Sequence, residues 1–339
     1  MSIFFWIWKS ITKMQFRTVF SLSVTIVLFG TLSIYLLERE NFPTLFEGLW
    51  WTMTTLTTVG YGDYYPTTVL GRLLGMFLFI FGIGIIGLLI SKVVDTAATY
   101  NRLKAEGKLM IKKEDHYIYI GWSKKTKSAI NEVLANEPEA EIVLIENLEK
   151  TPIENDQVSF VQGDPSREDV LLKANILKSK RVAIFSDSSI DSVLLADGKT
   201  LLIASAVEGL SNKYGTNIHT IVEVSDETHI PKFKHIKIDD FVVSNDSVSM
   251  LMAKATLNPG TTNLFRQLLS KRYGSNIHEI QPKSEWITYE DAYYGLFEEG
   301  AILISVNENM DFVTQKKEKV KPEDIFYVVS NDEVFAKLR

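Results

Sequence analysis

The run Thr58-Val59-Gly60-Tyr61-Gly62-Asp63 combines residue types whose spacing bears directly on ion chemistry. A cation entering a narrow pore must shed water, and only a dense set of oxygens can replace its hydration shell. Gly60 and Gly62 accept backbone dihedrals closed to other residues, so successive carbonyls can be turned to one side. Val59 and Tyr61 are then free to pack outward against a preceding helix that carries Trp50 and Trp51, while the Thr58 hydroxyl adds an oxygen at the inner end. Thr-Val-Gly-Tyr-Gly is the pattern established for loops whose carbonyls select potassium, and that chemistry is taken from the pattern rather than deduced from five residues. One chain supplies a quarter of the oxygen ring, so a homotetramer with potassium ions in the filter is expected. Asp63 either lines the outer mouth, raising the local cation concentration, or caps a local hydrogen-bond network. Taken alone, Gly-Tyr-Gly-Asp reads as an ordinary turn. What flanks it decides.

Thr18 to Leu37 is twenty residues without a charge, ending at Glu38-Arg39-Glu40, and Leu73 to Ile90 is eighteen more, ending near Lys92. Either run can cross a hydrocarbon layer about 30 Å thick as a helix. The first lacks the small-residue cleavage site of a signal peptide, and no polar segment takes over after it. Lys9, Lys13 and Arg17 precede the first span, and Lys92, Arg102, Lys104 and Lys108 follow the second. The positive-inside rule therefore predicts a multi-pass protein of the cell membrane with both termini cytoplasmic and Glu38 to Arg72 facing outward. Pro43 to Thr57 reads as a short helix rich in aromatics (Phe46, Trp50, Trp51) that leads into the filter. Non-helical backbone at membrane depth must be buried in protein or line water, so a re-entrant loop follows. Phe4, Phe5, Trp6 and Trp8 suit a helix lying on the inner leaflet's lipid, or an extension of the first span. Gly82, Gly84 and Gly87 punctuate the second span; Gly82 is the expected gating hinge, with close helix packing as the competing reading.

The chain has 339 residues, no cysteine and a formal charge of −6, with the acidic excess in its C-terminal two thirds. Disulfides and thiolate sites are thereby excluded, and a nucleic-acid partner is disfavoured. From about His116 short apolar strands alternate with helical stretches, which predicts a doubly wound parallel sheet. A helix hairpin turning at Asn258-Pro259-Gly260 and a small α+β lobe follow. The expected domains are a transmembrane pore over 1–98 (spans about 18–37 and 73–94, pore helix and filter 43–63), a linker over 99–115, the α/β lobe over 116–245, the hairpin over 246–271 and the last lobe over 272–339.

Over nearly its whole length the sequence resembles the two-span prokaryotic potassium channels that carry a cytoplasmic "regulator of potassium conductance" (RCK) domain, the calcium-gated archaeal channel being the best-known type. The resemblance rests on Thr57 to Asp63, on Gly82-Ile83-Gly84, on Ile120-Gly121-Trp122-Ser123, and on Gly163-Asp164-Pro165-Ser166 with Ala174-Asn175. It implies a ligand-gated potassium channel with a Rossmann-like RCK lobe, a gating ring beneath a tetrameric pore, and the hairpin as an intersubunit contact. It also implies that Met110 can serve as an internal start yielding free RCK domains, although an ordinary linker methionine fits the residues as well.

Three ligand classes are weighed for the gate. A dinucleotide calls for Gly-x-Gly-x-x-Gly, of which Gly121-Trp122-Ser123-Lys124-Lys125-Thr126 keeps only the first glycine, although Glu146 is placed as a ribose-binding acid. Calcium or another divalent cation wants six to eight oxygens. The acid positions of the calcium-gated relatives fall here on Ser186, with Asp187 beside it, on Glu223, and on Ser225, with Asp226 and Glu227 next; the expected metal residues are Asp187 and Glu223. A small anionic ligand such as a cyclic dinucleotide would draw on Arg266, Lys271, Arg272 and Lys283. A membrane-tethered nucleotide-binding regulatory subunit and a nonselective cation channel are the alternative functions. The intact filter disfavours both, and no evident His or Cys pair suggests an enzyme.

Overall fold

The computed structural model describes residues 14–338, the side chain of Lys271 excepted, and the chain divides into two compact units at Leu103. The aromatic and basic run from Phe4 to Lys13 lies outside the described residues.

The first unit holds helices α1 (Phe16–Leu37), α2 (Leu45–Leu56) and α3 (Val69–Ala105). α1 is the charge-free run with two residues added at its start, and it ends where Glu38 begins the polar stretch. α3 continues well beyond Ile90, and its 37 residues reach about 55 Å, longer than a bilayer's hydrocarbon requires. Close approach of α1 and α2 depends on small residues: a Cβ on Gly30 would stand 2.8 Å from the Thr52 methyl. Phe42, buried between Trp51 (5.6 Å between ring centres) and Tyr64 (6.0 Å), anchors the loop joining them.

The second unit is built on six parallel strands: β1 (His116–Ile120), β2 (Ile142–Glu146), β3 (Val158–Gln162), β4 (Ser179–Ile184), β5 (Thr220–Val224) and β6 (Asp240–Val243), in the order β3-β2-β1-β4-β5-β6. Helices α4 (Lys124–Asn136), α5 (Glu168–Lys173) and α6 (Val193–Tyr214) connect them, as the alternating pattern predicts. β1 is buried at all five positions, so its alternation shows only in what each face meets. Ile118 and Ile120 join Val143, Ile145, Val182, Ile203 and Val207 in one core; Tyr117 and Tyr119 pack with Ile130, Ile142, Leu144 and Phe160 in the other. Inside α6, Asp197 is buried and accepts hydrogen bonds from the Ser225 and Asp226 N–H groups (2.9 and 3.2 Å) and from His229 Nδ1 (2.7 Å), which ties the helix to the turn after β5.

After β6 come α7 (Ser244–Leu257) and α8 (Thr261–Leu269), neither of which contains a buried residue. The last lobe pairs β7 (Asn276–Ile280), β8 (Ile302–Val306) and β9 (Phe326–Ser330) antiparallel in the order β7-β9-β8, with α9 (Tyr289–Glu298) and α10 (Asp332–Leu338). Its core gathers Trp286, Tyr289, Leu296, Phe312 and Phe326.

Because Ile118 is fully buried at the centre of the sheet, Ile118→Ala should destabilise the second unit by about 2–5 kcal/mol. Val248→Ala on the uncovered α7 should shift isolated-subunit stability by no more than about 0.5 kcal/mol. Thermal unfolding of the dissociated subunit in detergent distinguishes the two.

Candidate functional site: a filter loop and a strand-end crevice

α2 is fixed at its start by a capping box in which Glu47 accepts from the Thr44 N–H (2.8 Å). At its end the Thr54 carbonyl takes the N–H groups of Val59 (2.9 Å) and Gly60 (3.2 Å), curling the chain into the filter. Thr58, Gly60 and Gly62 then adopt positive φ (60°, 55° and 76°), whereas Val59 and Tyr61 do not. Alternation between left- and right-handed backbone turns successive peptide planes over, so their carbonyls face one way. Among the described residues nothing donates to the carbonyls of Thr58 to Gly62, which leaves those oxygens for a cation.

The outer face of the loop is held by α2. Tyr61 stacks on Trp50 with ring centres 5.6 Å apart and planes 6° from parallel, and Trp50 Nε1 donates to Asp63 Oδ2 at 2.8 Å. Trp51 turns the other way, onto Phe42. Asp63 also accepts from the Tyr64 N–H (3.1 Å). Gly82 is buried against Leu56, the last residue of α2, and a Cβ there would fall 1.9 Å from a Leu56 methyl. Gly84 and Gly87 have open space, and α3 is helical through all three.

Glu38 belongs to this framework, although the sequence offers it only as a charge at the end of a span. It is buried, and its carboxylate accepts from the N–H groups of Thr67 (2.9 Å) and Thr68 (3.0 Å), the Thr68 hydroxyl (2.6 Å) and Asn41 (3.0 Å), clasping the start of α3. An anion at a helix N-terminus is favoured by the orphan N–H groups and the helix dipole. Burial alone would raise its pKa, but these donors together bring it down to about 2. The adjacent Thr67-Thr68 pair near the start of the second span was the signal available.

In the second unit the strand order reverses between β1 and β4, where open α/β sheets bind ligands. A crevice of about 20 Å³ lies there, walled by Gly121, Trp122, Glu146, Phe185, Ser186 and Asp187 among others. Glu146 takes the N–H groups of Trp122 (2.8 Å) and Asn147 (2.8 Å), filling with its own carboxylate the turn where a phosphate would lie. Glu223, buried at the end of β5, accepts from the Ser186 N–H (3.0 Å) and pairs with Lys125 at the start of α4. Asp187 pairs with Lys199 (2.6 Å) and accepts from Ser189; the lysine and the serine hold its carboxyl at about 2. Thus Asp187 lies after β4 and Glu223 on the neighbouring β5, each with its own ammonium, and among the described residues no three or more acids or histidines are grouped to hold a metal. Of the basic residues whose side chains are described, Arg266 lies over Tyr273, Arg272 approaches Glu132 at 3.9 Å, and Lys283 pairs with Glu299; the Lys271 side chain lies outside the described residues.

Two apolar helices long enough to cross a membrane, joined by a pore helix and an oxygen-lined loop, define an ion-channel pore module, which is here continued by a regulatory α/β unit. Residues 21–98 match the family model described as "Ion channel", and residues 117–244 match that of the "TrkA-N domain". The putative potassium channel protein YugO of Bacillus subtilis is 32% identical over 67% of this chain and 67% of its own length. The calcium-gated potassium channel TvoK of Thermoplasma volcanium is 29% identical over 80% and 78%, and the probable potassium channel protein 2 of Methanocaldococcus jannaschii 25% identical over 92% of each. The chain belongs to the family of prokaryotic potassium channels that join a two-span pore to a TrkA-N, or RCK, domain. It is a membrane protein, and its relatives are ion channels rather than enzymes.

A carboxylate held at about 2 against an ordinary 4.5 contributes about 3 kcal/mol to its fold. Since the folded pKa is the lower one, that contribution is complete above pH 4.5 and disappears as pH falls toward 2. Glu38→Gln should therefore lower the thermal stability of the pore unit at pH 7 and flatten its acid dependence over that window.

Proposed function

We propose that four copies of this chain form a potassium-selective pore whose opening is governed by a ring of their RCK domains in the cytoplasm. The single observation that carries the conducting part is the run of unpaired carbonyls at alternating handedness between Thr58 and Gly62. In this reading both termini are cytoplasmic in a multi-pass cell-membrane protein, Glu38 to Arg72 faces outward, and the chain has no enzymatic role. Gly82 is the hinge in this reading: without a Cβ it eases bending of α3, and its lack of a side chain is also what lets Leu56 at the end of the pore helix pack directly against it. The hairpin of α7 and α8, apolar at Val248, Met250, Met252, Leu257, Leu264 and Leu269 yet uncovered, suits the proposed contact between subunits. Met110 as an internal start would add free RCK domains to that ring.

For the opening ligand we propose a divalent cation at Asp187 and Glu223, following the calcium-gated relative in character. A dinucleotide is disfavoured because the turn after β1 keeps only the first glycine of the fingerprint and Glu146 already takes the Trp122 N–H in that turn. Taking a pore from about 1:99 to 99:1 needs about 5.5 kcal/mol of differential binding, or roughly 1.4 kcal/mol from each of four sites. Two carboxylates and serine oxygens suffice for so modest a demand. The cation must displace Lys125 and Lys199 from their partners, which keeps the site weak.

In liposomes, potassium flux should exceed sodium flux by a large margin, and Gly60→Ala, forcing a side chain onto φ of 55°, should abolish conduction while the RCK unit stays folded. Equal fluxes would end the selectivity claim. Flux measured in parallel against calcium, nucleotides and cyclic dinucleotides should rise with calcium, and Asp187→Asn combined with Glu223→Gln should remove the response. A response to another ligand alone transfers the gate to that ligand's site.

A further inference from the structure

Residues 105–115 enter the second unit as a strap bound along its length. The Ala105 carbonyl accepts from the Thr151 N–H (2.8 Å), and the Gly107 carbonyl from the Gln162 N–H (3.1 Å) and from Lys173 Nζ (2.7 Å). The Ile111 N–H donates to the Lys173 carbonyl (2.9 Å), the Asn175 side chain to the Lys113 carbonyl (2.8 Å), and the Asp115 N–H to the Lys178 carbonyl (2.9 Å). Ion pairs Lys113–Glu141 and Lys178–Glu114 flank the strap. Most of these bonds fall on one short segment, Lys173 to Lys178, between α5 and β4. His116 closes the row. It is fully buried, with Nε2 3.0 Å from the Ala174 carbonyl in that same segment. A carbonyl only accepts, so Nε2 carries the proton and Nδ1 is the bare nitrogen. Nδ1 is buried, with no hydrogen-bond partner among the described residues.

We propose that His116 is a proton-operated release for this strap: a proton added at Nδ1 creates a buried cation that no acceptor faces, and the strap parts from the Lys173 to Lys178 segment. An uncompensated charge in an interior is expensive, and separation of the strap lets water reach it. The charged groups around the ring are Lys113 and Asp115 on the strap and Glu141 ahead of β2. Burial, helped by Lys113, lowers the imidazole's pKa; the Ala174 carbonyl, Asp115 and Glu141 oppose this without cancelling it, and Glu141 is already engaged by Lys113. With the folded pKa below the ordinary 6.5, the docked strap binds fewer protons than the released one. Docking is therefore complete above pH 6.5 and weakens by up to tenfold per unit below it, until the folded pKa is reached. Ala105 ends α3, so the strap is the covalent continuation of the second span, and its release turns a fixed tether into a slack one. Cytoplasmic acidification would act through it.

Hydrogen exchange on the full-length protein in nanodiscs tests this, using peptides that cover Ile111 to Asp115 between pH 7.5 and 5.5, corrected for intrinsic exchange. Protection should fall by up to about fivefold from pH 6.5 to 5.5. It should stay level in His116→Gln, whose amide can still donate to the Ala174 carbonyl. A flat wild-type profile overturns the proposal, as does an equal fall in the variant, which would assign the effect to His219, His229, His235 or His278. If the variant does not fold, titration of labelled histidine in the wild type decides: His116 protonating near pH 6.5 with the strap still protected is contrary to the proposal, and protonation coincident with loss of protection supports it. The measurement reads the strap itself, so its outcome is independent of whether the chain conducts or which ligand opens it.

Discussion

A potassium filter asks for something folded proteins otherwise avoid, a row of backbone carbonyls without partners. The rest of the pore unit can be understood as the means of holding Thr58 to Gly62 in place from their other side. Thr54 absorbs the N–H groups of Val59 and Gly60, Trp50 takes both Tyr61 and Asp63, and Phe42 fixes Trp51 behind them. Each of these contacts acts on a donor or a side chain and leaves the oxygens untouched. Glu38 extends the same economy outward, because one carboxylate satisfies several donors at the start of α3 and joins that helix to the end of α1.

The RCK unit solves a related problem with opposite means. At its strand ends the chain supplies the counterparts of its polar groups itself: Glu146 to the turn after β1, Lys125 to Glu223, Lys199 to Asp187. As the proposed gating site, such an arrangement would be quiet at rest. A ligand gains affinity there only by replacing contacts already made, which makes the difference between two states small and adjustable, as a gate shared among subunits requires.

Much of this was legible in the residues because the signals were local or periodic. Desolvation of the backbone in lipid demands long uncharged runs, so both spans stood out, and the filter carried its own spacing. Parallel strands buried on both faces gave the apolar runs from Tyr117 onward, displaced by a residue or two at their ends. What stayed hidden came from distance and from partners. Glu38 meets Thr67 and Thr68 about thirty positions along the chain, and Asp197 meets the turn after β5 at a similar remove. Neither pairing leaves a periodic trace. α3 runs on past the apolar stretch because helix propensity, in Ala97, Ala98, Leu103 and Ala105, outlasts hydropathy. The acids suggested for a cation were visible, but the lysines that already hold them were not.

α7 and α8 have no buried residue, and their apolar side chains stand open in the single chain. An orphan subunit therefore displays a surface that chaperones and proteases recognise, and a complete assembly would hide it. Surplus chains would be removed and finished ones spared, so the cell's stock of channels would be counted by the helices proposed to join them.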